Sequence, residues 1–403
     1  MTMKIHLTFI LLILALIASA CNGRALAAPV STATAAPSPL PTGTPVPSPT
    51  PIPSPTIQPF YLKATVWTAE PHVPVLTYHQ FAPDISKSSN ARKVRLSDFR
   101  AQLESLDKAG YTLVAVDQWI NGDVSVPSGR RPLVITMDDL FYNNQITLGA
   151  DGQPDPGTGI GVLWQFYQTH PEFGFKLALF SNLGDKLYAN PDKPDWEQKL
   201  AQAIAWCMDH GAPVYNHTYM HTPLDKMQPA DITWQLHWND RYLRELLTKI
   251  NRQDLIPKLG NMLAVPFGLW PNDPGTLIRY KTPEGLPMQA LFDIDPVAAR
   301  SKYLLPPYSP DFNRYRIPRI TAHPDLPTYG PSTIDYLVQH KDDFPLAGEC
   351  KLGPLNETRI TNVDYMVGQI GQAVASGACP AGFYSVNGQN FDAHTSQVSL
   401  VHP

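Results

Sequence analysis

The sequence predicts an α/β fold built as a (β/α) barrel, and three observations support this prediction. Short runs of β-branched residues alternate with helical patterns after residue 60, which is typical of parallel strands joined by crossover helices. Polar residues follow directly after two of the apolar strand segments, where the loops of such a barrel converge. A Pro-rich stretch separates an apolar N-terminus from this region, so the folded part is expected to begin near residue 60.

The predicted elements can be followed along the chain. A helix at 97–109 places Phe99, Leu103 and Leu106 on one face, and Ser97 is its predicted N-cap. The other helices are predicted at 162–169, 196–210 and 232–250, and the strands at 73–78, 112–116, 133–137, 176–180, 213–215, 262–265, 289–292 and 315–320. Residues 60–330 are therefore assigned to the barrel.

The N-terminus has the features of an export signal. Lys4 precedes an apolar run from Leu7 to Ala20. At about 1.5 Å per residue this run reaches roughly 20 Å, which is short of the ~30 Å of a bilayer core. Residues 1–21 are predicted to be a signal peptide whose end resembles a bacterial lipobox, with Cys21 as the lipidated residue. Cleavage without a lipid is the alternative.

Residues 22–59 are predicted to be an extended spacer. The segment is rich in Pro, Ser and Thr, has almost no charge, and has too little apolar bulk to build a core. A Pro-rich ligand for a partner domain is the other interpretation, although the repeats lack flanking Arg or Lys. The chain is therefore expected to be exported and held at the outer face of the bacterial cell membrane through Cys21, or secreted.

Residues 331–403 form a C-terminal extension with a weaker pattern. A helix at 363–376 and a hairpin at 383–391, with Asn387 and Gly388 at its turn, are predicted. The segment is either a small module, such as a sugar-binding one, or a packing extension. In an oxidising compartment Cys350 and Cys379 can close a loop here, leaving Cys207 as a buried thiol.

Charge and composition exclude one class of partner. The chain of 403 residues has 31 Lys and Arg against 35 Asp and Glu, for a net charge of −4. No basic stripe is present, so nucleic acid is not an expected partner.

Two pairs of polar residues mark a candidate site. Asp138 and Asp139 follow the strand at 133–137, where one carboxylate can bind a metal while the other handles a proton. His217 and His221 follow the strand at 213–215, and their spacing lets both imidazoles reach one ion. For an isolated pair of aspartates, a surface turn or helix cap is the preferred interpretation, and histidines at this spacing also occur on surfaces.

Taken together, these segments resemble a known family. PVLTYHQF, SDFRAQLESLDKAGYTLV, LVITMDDLF and NHTYMHTPL, within residues 74–320, resemble the polysaccharide deacetylases of the NodB-homology type, carbohydrate esterase family 4. The resemblance implies a distorted (β/α) barrel. It also implies a hydrolase of carbon–nitrogen bonds other than peptide bonds, which removes N-acetyl groups from a cell-surface polysaccharide containing N-acetylglucosamine.

The resemblance also implies the roles of the site residues. Asp138 would be the general base, and Asp139, His217 and His221 would bind a divalent metal, zinc or else cobalt or nickel. The family's oxyanion donor is the backbone N–H of an aromatic residue, which corresponds here to Phe267. The nearest match to its general acid is His323, for which a solvated loop residue is the alternative.

Two departures from the family pattern concern the base and its turn. The Gly that follows the two aspartates is Leu140 here, which restricts the backbone. The Arg that orients the base is replaced by Ala264, so Arg316 and Arg319 are candidates for that task, with ordinary surface ion pairs as the alternative. If the base is not oriented and the general acid is missing, the same barrel would be a catalytically impaired carbohydrate-binding protein.

Four tryptophans are able to stack on sugar rings or to belong to the core. They are Trp206, Trp234, Trp238 and Trp270. Trp270 is the preferred sugar contact, because it lies in a loop that leaves the candidate site, whereas the helical positions of the others favour the core.

Overall fold

The computed structural model describes residues 59–83, 93–140, 144–294, 306–322, 333–395 and 397–401. The predicted signal peptide, the predicted spacer up to residue 58, and His323 lie outside these ranges. The described residues belong to one compact unit, Ile57–Pro403.

Strands and helices alternate through the first three quarters of the described chain. The strands are β1 (Phe60–Trp67), β2 (Val75–Tyr78), β3 (Gln80–Ala82), β4 (Lys93–Arg95), β5 (Tyr111–Leu113), β6 (Arg131–Met137), β7 (Ala178–Ser181), β8 (Val214–Asn216), β9 (Met262–Ala264), β10 (Ala290–Phe292), β11 (Ile320–Thr321), β12 (Gly348–Leu355), β13 (Phe383–Val386), β14 (Gln389–Asp392) and β15 (Ser399–Val401). The helices are α1 (Leu96–Lys108), α2 (Val116–Ile120), α3 (Gly159–Thr169), α4 (Trp196–Asp209), α5 (Pro229–Lys249), α6 (Gly275–Ile278), α7 (Thr333–Gln339) and α8 (Val363–Ala375). Within the described ranges, no helix combines the length and apolar character needed to cross a membrane.

The larger sheet is parallel and closes on itself. Its strand order is β10-β9-β8-β7-β6-β2-β11, and β5 pairs with β6. The segment that ends in β11 contacts both ends of this row, because Ile320 pairs with Leu76 of β2 while Ile317 bridges to Phe292 of β10. The Ile317 N–H donates to the Leu291 carbonyl at 2.9 Å. The fold is therefore a distorted (β/α) barrel, as the sequence predicted.

Helix α1 shows how the outer layer is built. Phe99, Leu103 and Leu106 are buried against the barrel, as their spacing predicted. The prediction that Ser97 caps this helix is wrong, because the helix begins after Arg95 and has no side-chain cap. Strand β4 ends at Arg95 and the helix begins at the next residue, so the pairing of β4 with β3 determines where the helix begins.

A second sheet of five strands, the C-terminal sheet, is antiparallel and combines both ends of the described chain. Its order is β12-β1-β13-β14-β15. Residues 60–67, which the sequence boundaries place with the barrel, pair on one side with β12 and on the other with β13. Without β1, strand β12 would have no partner in this sheet. The predicted hairpin is confirmed, with Asn387 and Gly388 at φ of 53° and 69° in its turn.

The C-terminal sheet has its own apolar core and a covalent link. Met366 and Ile370 of α8 pack with Tyr384 and Phe391 of the sheet. Cys350 and Cys379 form a disulfide, while Cys207 is a buried free thiol, both as predicted.

Replacing Cys350 and Cys379 together with Ala is expected to lower the free energy of unfolding by about 3 kcal/mol. The link spans 29 residues, and a loop of this length loses substantial chain entropy when it is closed in the unfolded state. Urea unfolding with and without a reductant measures the effect. Reduction should destabilise the original protein and leave the double variant as it is, and equal stabilities of the two proteins would contradict the prediction.

Candidate metal centre and active site

The predicted site residues meet at the carboxyl ends of two barrel strands, β6 and β8, which are separated by β7. Asp138 and Asp139 follow β6, and His217 follows β8, so strand order brings them together. All three side chains are buried. The site therefore lies at the end of the barrel where the sequence predicted it.

One group of side chains in the described part of the chain is able to hold a metal ion. It consists of Asp139, His217 and His221, whose ligand atoms all lie within 4.8 Å of one another. The Asp139 Oδ1 atom is 3.5 Å from His217 Nε2 and 3.3 Å from His221 Nε2. Two imidazoles and one carboxylate are a ligand set that zinc and other divalent transition metals accept, so the donor set fits a metal of this class.

His217 is oriented for this task by the backbone of β9. Its Nδ1 atom lies 2.7 Å from the carbonyl oxygen of Ala264. A carbonyl only accepts, so Nδ1 carries a proton and Nε2 faces the aspartates. Burial acts to lower the pKa of His217, but the carboxylates of Asp138 and Asp139 outweigh it and raise that pKa. Two buried carboxylates at this point thus favour a positive charge between them.

Helix α5 holds the loop that carries the two histidines. The Asn216 Nδ2 atom donates to the carbonyl of Leu236 and to Asp240 Oδ1, both at 2.9 Å, while its Oδ1 accepts from the Thr218 N–H at 2.8 Å. The Met220 N–H donates to Gln235 Oε1 at 2.7 Å. These contacts offset a strained backbone, since Thr218 and His221 have φ of 64° and 51°.

The turn after β6 is strained as well. Asp139 and Leu140 have φ of 70° and 37°, and the Leu140 side chain is fully buried. The restriction expected from Leu140 is therefore real, and its burial stabilises the turn that the backbone disfavours. The Gln145 Nε2 atom donates to the Asp138 carbonyl and adds a further hold on this turn.

Arg319 lies in the barrel interior and clamps Asp138. Its Nη1 atom donates to Asp138 Oδ1 at 2.7 Å and its Nη2 atom to Oδ2 at 2.8 Å. Further hydrogen bonds reach Thr136 Oγ1 at 3.1 Å, Thr77 Oγ1 at 3.3 Å and the carbonyl of Asp293 at 3.1 Å. The side chain is 0% exposed. The contact that the resemblance assigns to an arginine at the position of Ala264 is thus made by Arg319, from the segment that closes the barrel.

Arg316 occupies a different position. Its Nε atom is 3.2 Å from Asp293 Oδ2, and its side chain is 65% exposed. Arg316 is therefore the surface ion pair, and Arg319 is the residue that orients the aspartate.

The charges around the aspartates determine their ionisation. Burial acts to raise the pKa of Asp138, but the Arg319 guanidinium, with His217 beside it, holds that pKa below its ordinary value. Burial likewise acts against ionisation of Asp139, and the hydrogen bond and charge of His217 overcome it, so the pKa of Asp139 is also lowered. Both carboxyl groups are therefore ionised at neutral pH.

The other predicted residues lie at the rim of the site or outside the described ranges. Phe267 has a φ of 57°, is 40% exposed, and its ring centroid is 4.4 Å from that of His221. Trp270 is half-buried, packs against the core and has the Arg316 guanidinium over its ring at 5.4 Å. Trp206 belongs to the core, whereas Trp234 is 48% exposed, so the core interpretation of Trp234 is wrong.

Sequence reasoning missed the residues that support the ligands. Asn182 follows β7 and places its Nδ2 atom 3.5 Å from Asp139 Oδ1. Gln145, Gln235 and Asp240 support the two strained turns. Asn182 could have been predicted from the rule that polar site residues follow barrel strands. The other three residues lie within loops or on α5, where no local pattern identifies them.

Replacing Arg319 with Met is expected to destabilise the fold by about 3 to 5 kcal/mol, because it leaves the buried Asp138 carboxylate without its partner. Arg316→Met is the matched control and is expected to cost less than about 1 kcal/mol, since the Arg316 side chain is mostly exposed to solvent. Urea unfolding near neutral pH measures both. Equal losses in the two variants would contradict the assignment of Arg319.

Comparison with known proteins gives matches among solved structures. The sequence matches no protein-family model and no curated protein. The deacetylase PplD of Streptococcus pyogenes, solved in complex with acetate, is 17% identical, with 67% of this chain and 98% of that chain covered and a TM-score of 0.43. A polysaccharide deacetylase from Bacillus cereus is 18% identical, with 67% and 69% covered and a TM-score of 0.45. IcaB from Ammonifex degensii is 15% identical, with 68% and 97% covered and a TM-score of 0.41. Solved structures that this chain matches thus include polysaccharide deacetylases, the family whose motifs its sequence resembles.

Proposed function

We propose that this chain is a metal-dependent hydrolase that removes N-acetyl groups from a cell-surface polysaccharide containing N-acetylglucosamine. The observation that carries the proposal is the buried group of Asp139, His217 and His221 with a second carboxylate, Asp138, directly beside it. A structural ion-pair cluster would not need two adjacent aspartates at the mouth of a barrel. A hydrolase needs one of them as a ligand and the other as a base.

The metal would be held by Asp139, His217 and His221. When bound, a divalent ion at such a site lowers the pKa of a water to about 7 and polarises an amide carbonyl. Zinc is the ion we propose, with cobalt or nickel as alternatives that the same ligands accept.

Asp138 is the proposed general base. The Arg319 clamp keeps its carboxylate ionised and fixes the plane in which its oxygens lie, so an oxygen is ready to accept the proton of the attacking water. His217 Nε2 is 3.8 Å from Asp138 Oδ2, which places this oxygen at the metal ligands. Arg319 acts through Asp138 and is a positioning residue.

The remaining two roles are proposals from the sequence pattern. The Phe267 N–H is proposed to donate to the oxyanion, and the contact between the rings of Phe267 and His221 supports this role. His323 is proposed to protonate the leaving amine. In the sequence it is the second residue after β11, which ends at Thr321.

The alternative function, a binding protein without turnover, rested on the missing arginine and on the uncertain general acid. Arg319 contacts both carboxylate oxygens of Asp138, which is the contact expected of that arginine. The first of the two reasons for preferring a non-catalytic protein therefore loses its support, and a carboxylate that is held ionised beside the candidate metal ligands favours the enzyme.

We further propose that the protein acts outside the cytoplasm, anchored through a lipid at Cys21 or secreted. The disulfide between Cys350 and Cys379 supports this proposal, because such bonds persist in oxidising compartments. A cell-envelope polysaccharide is the substrate that such a location makes accessible.

Acetate release from a chitin oligosaccharide tests the proposal. The protein with added zinc or cobalt is expected to release acetate, and Asp138→Asn is expected to lower the rate by at least about 100-fold while one metal ion per chain still binds. His217→Ala is expected to lose both metal binding and activity. His340→Ala is the control, because His340 is half-exposed and paired with Asp343 at the surface. Metal binding by a protein that releases no acetate from any N-acetylated polysaccharide would contradict the proposal.

A further inference from the structure

An aromatic ledge lies on the outer face of α5. We define the ledge as Trp234 and Trp238, which are one helical turn apart and have ring centroids 6.0 Å from each other. Trp234 is 48% exposed and Trp238 is half-buried. An exposed tryptophan contributes nothing to the core on its solvent side, so its apolar surface is available for binding.

The ledge is continuous with the loop that carries the metal ligands. Trp234 meets Tyr219 edge to face at 5.7 Å, and Tyr219 lies between His217 and His221 in the chain. Gln235, the next residue on α5, accepts the Met220 N–H of the same loop. Helix α5 thus contacts the histidine loop through two adjacent residues, Trp234 and Gln235. A ligand that extends from Asp139, His217 and His221 toward α5 would therefore meet the ledge.

Exposed apolar side chains lie in and beside the histidine loop. Phe267 packs against His221 and is 40% exposed, and Met220 is 44% exposed. A surface of this kind next to a buried polar centre suits a ligand that has apolar faces and extends beyond the reacting group.

Polar groups flank the ledge on the same helix. Thr233 and His237 are exposed beside the two tryptophans and line a groove of about 480 Å³ together with Arg279. The Arg241 guanidinium lies over the Trp238 ring at 4.5 Å. Arg241 is paired with Glu245 and Arg279 with Asp273, and Lys281 also lines the groove.

We propose that the ledge is a sugar-binding subsite, which holds a pyranose unit of the polysaccharide while another unit of the same strand presents its N-acetyl group at the metal ligands. A pyranose has apolar C–H faces and hydroxyl edges, which match a tryptophan face flanked by hydrogen-bonding side chains. This inference rests on the proposed function, and it names the substrate as an extended strand instead of a single acetylated sugar.

The dependence of kinetics on chain length tests the subsite. Acetate release is measured with chitin oligosaccharides of two and of six sugars. In Trp234→Ala the KM for the six-sugar substrate is expected to rise about 3- to 10-fold, the range expected for loss of one stacking contact. The increase should be smaller for two sugars, and KM should change more than kcat. Trp234→Phe keeps a ring and is expected to restore most of the affinity.

Tyr61→Ala is the matched control. Tyr61 is also aromatic and 43% exposed, but it belongs to β1 in the C-terminal sheet, away from α5. Its KM values are expected to equal those of the original protein. Thermal unfolding of each variant confirms that the substitutions leave the fold intact, as exposed positions should.

Calorimetric titration of the six-sugar oligosaccharide separates this proposal from the proposed function. Binding that Trp234→Ala weakens, in a protein that releases no acetate, would support the subsite and overturn the deacetylase. If Trp234→Ala releases acetate with the KM values of the original protein for both the two-sugar and the six-sugar substrate, the subsite is overturned and the deacetylase stands. An original protein that does not bind the six-sugar oligosaccharide would also overturn the subsite.

Discussion

The buried ion pair between Arg319 and Asp138 is the constraint on which fold and site both depend. A guanidinium fully removed from water is tolerated only when its donors are satisfied, and here they reach the carboxylate, Thr77, Thr136 and the Asp293 carbonyl. These partners come from β2, from the strand and end of β6, and from the end of β10. The same contacts that compensate the buried charge therefore join the closing segment to both ends of the sheet.

The charge of this pair also determines what the site can accept. Asp139 adds a second buried carboxylate, while His217 and His221 add two groups that are able to carry a proton or to donate a lone pair. Arg319 neutralises one aspartate, so one negative charge remains facing the two imidazoles. A divalent cation satisfies that charge and both lone pairs together, which a single proton cannot do. The strained φ values at Asp139, Thr218 and His221 persist because α5 and the barrel strands fix the neighbouring residues.

Local rules predicted the parts of this structure that are locally determined. The positions of Asp138, Asp139, His217 and His221 followed from where apolar strands end. The sequence could not place β1 in the C-terminal sheet, because that pairing joins residues far apart in the chain. Nor could it choose between Arg316 and Arg319. The closing segment contains only a short strand, and contacts with β10 and β2, not an alternating pattern, decide which side chain points inward.

In the pattern that the sequence resembles, the arginine would stand at the position of Ala264 on β9. Its different position here has a physical explanation in what β9 contributes. Ala264 still orients His217, but through its backbone carbonyl, which any residue provides. The side-chain task at Asp138 needs a guanidinium that approaches both carboxylate oxygens, and this requirement concerns geometry, not chain position. In a closed barrel, side chains from several strands point inward toward the same carboxylate. The arginine can therefore come from any of these strands, provided that its guanidinium reaches both oxygens. Here the closing segment supplies it, while a small residue on β9 remains buried in the barrel.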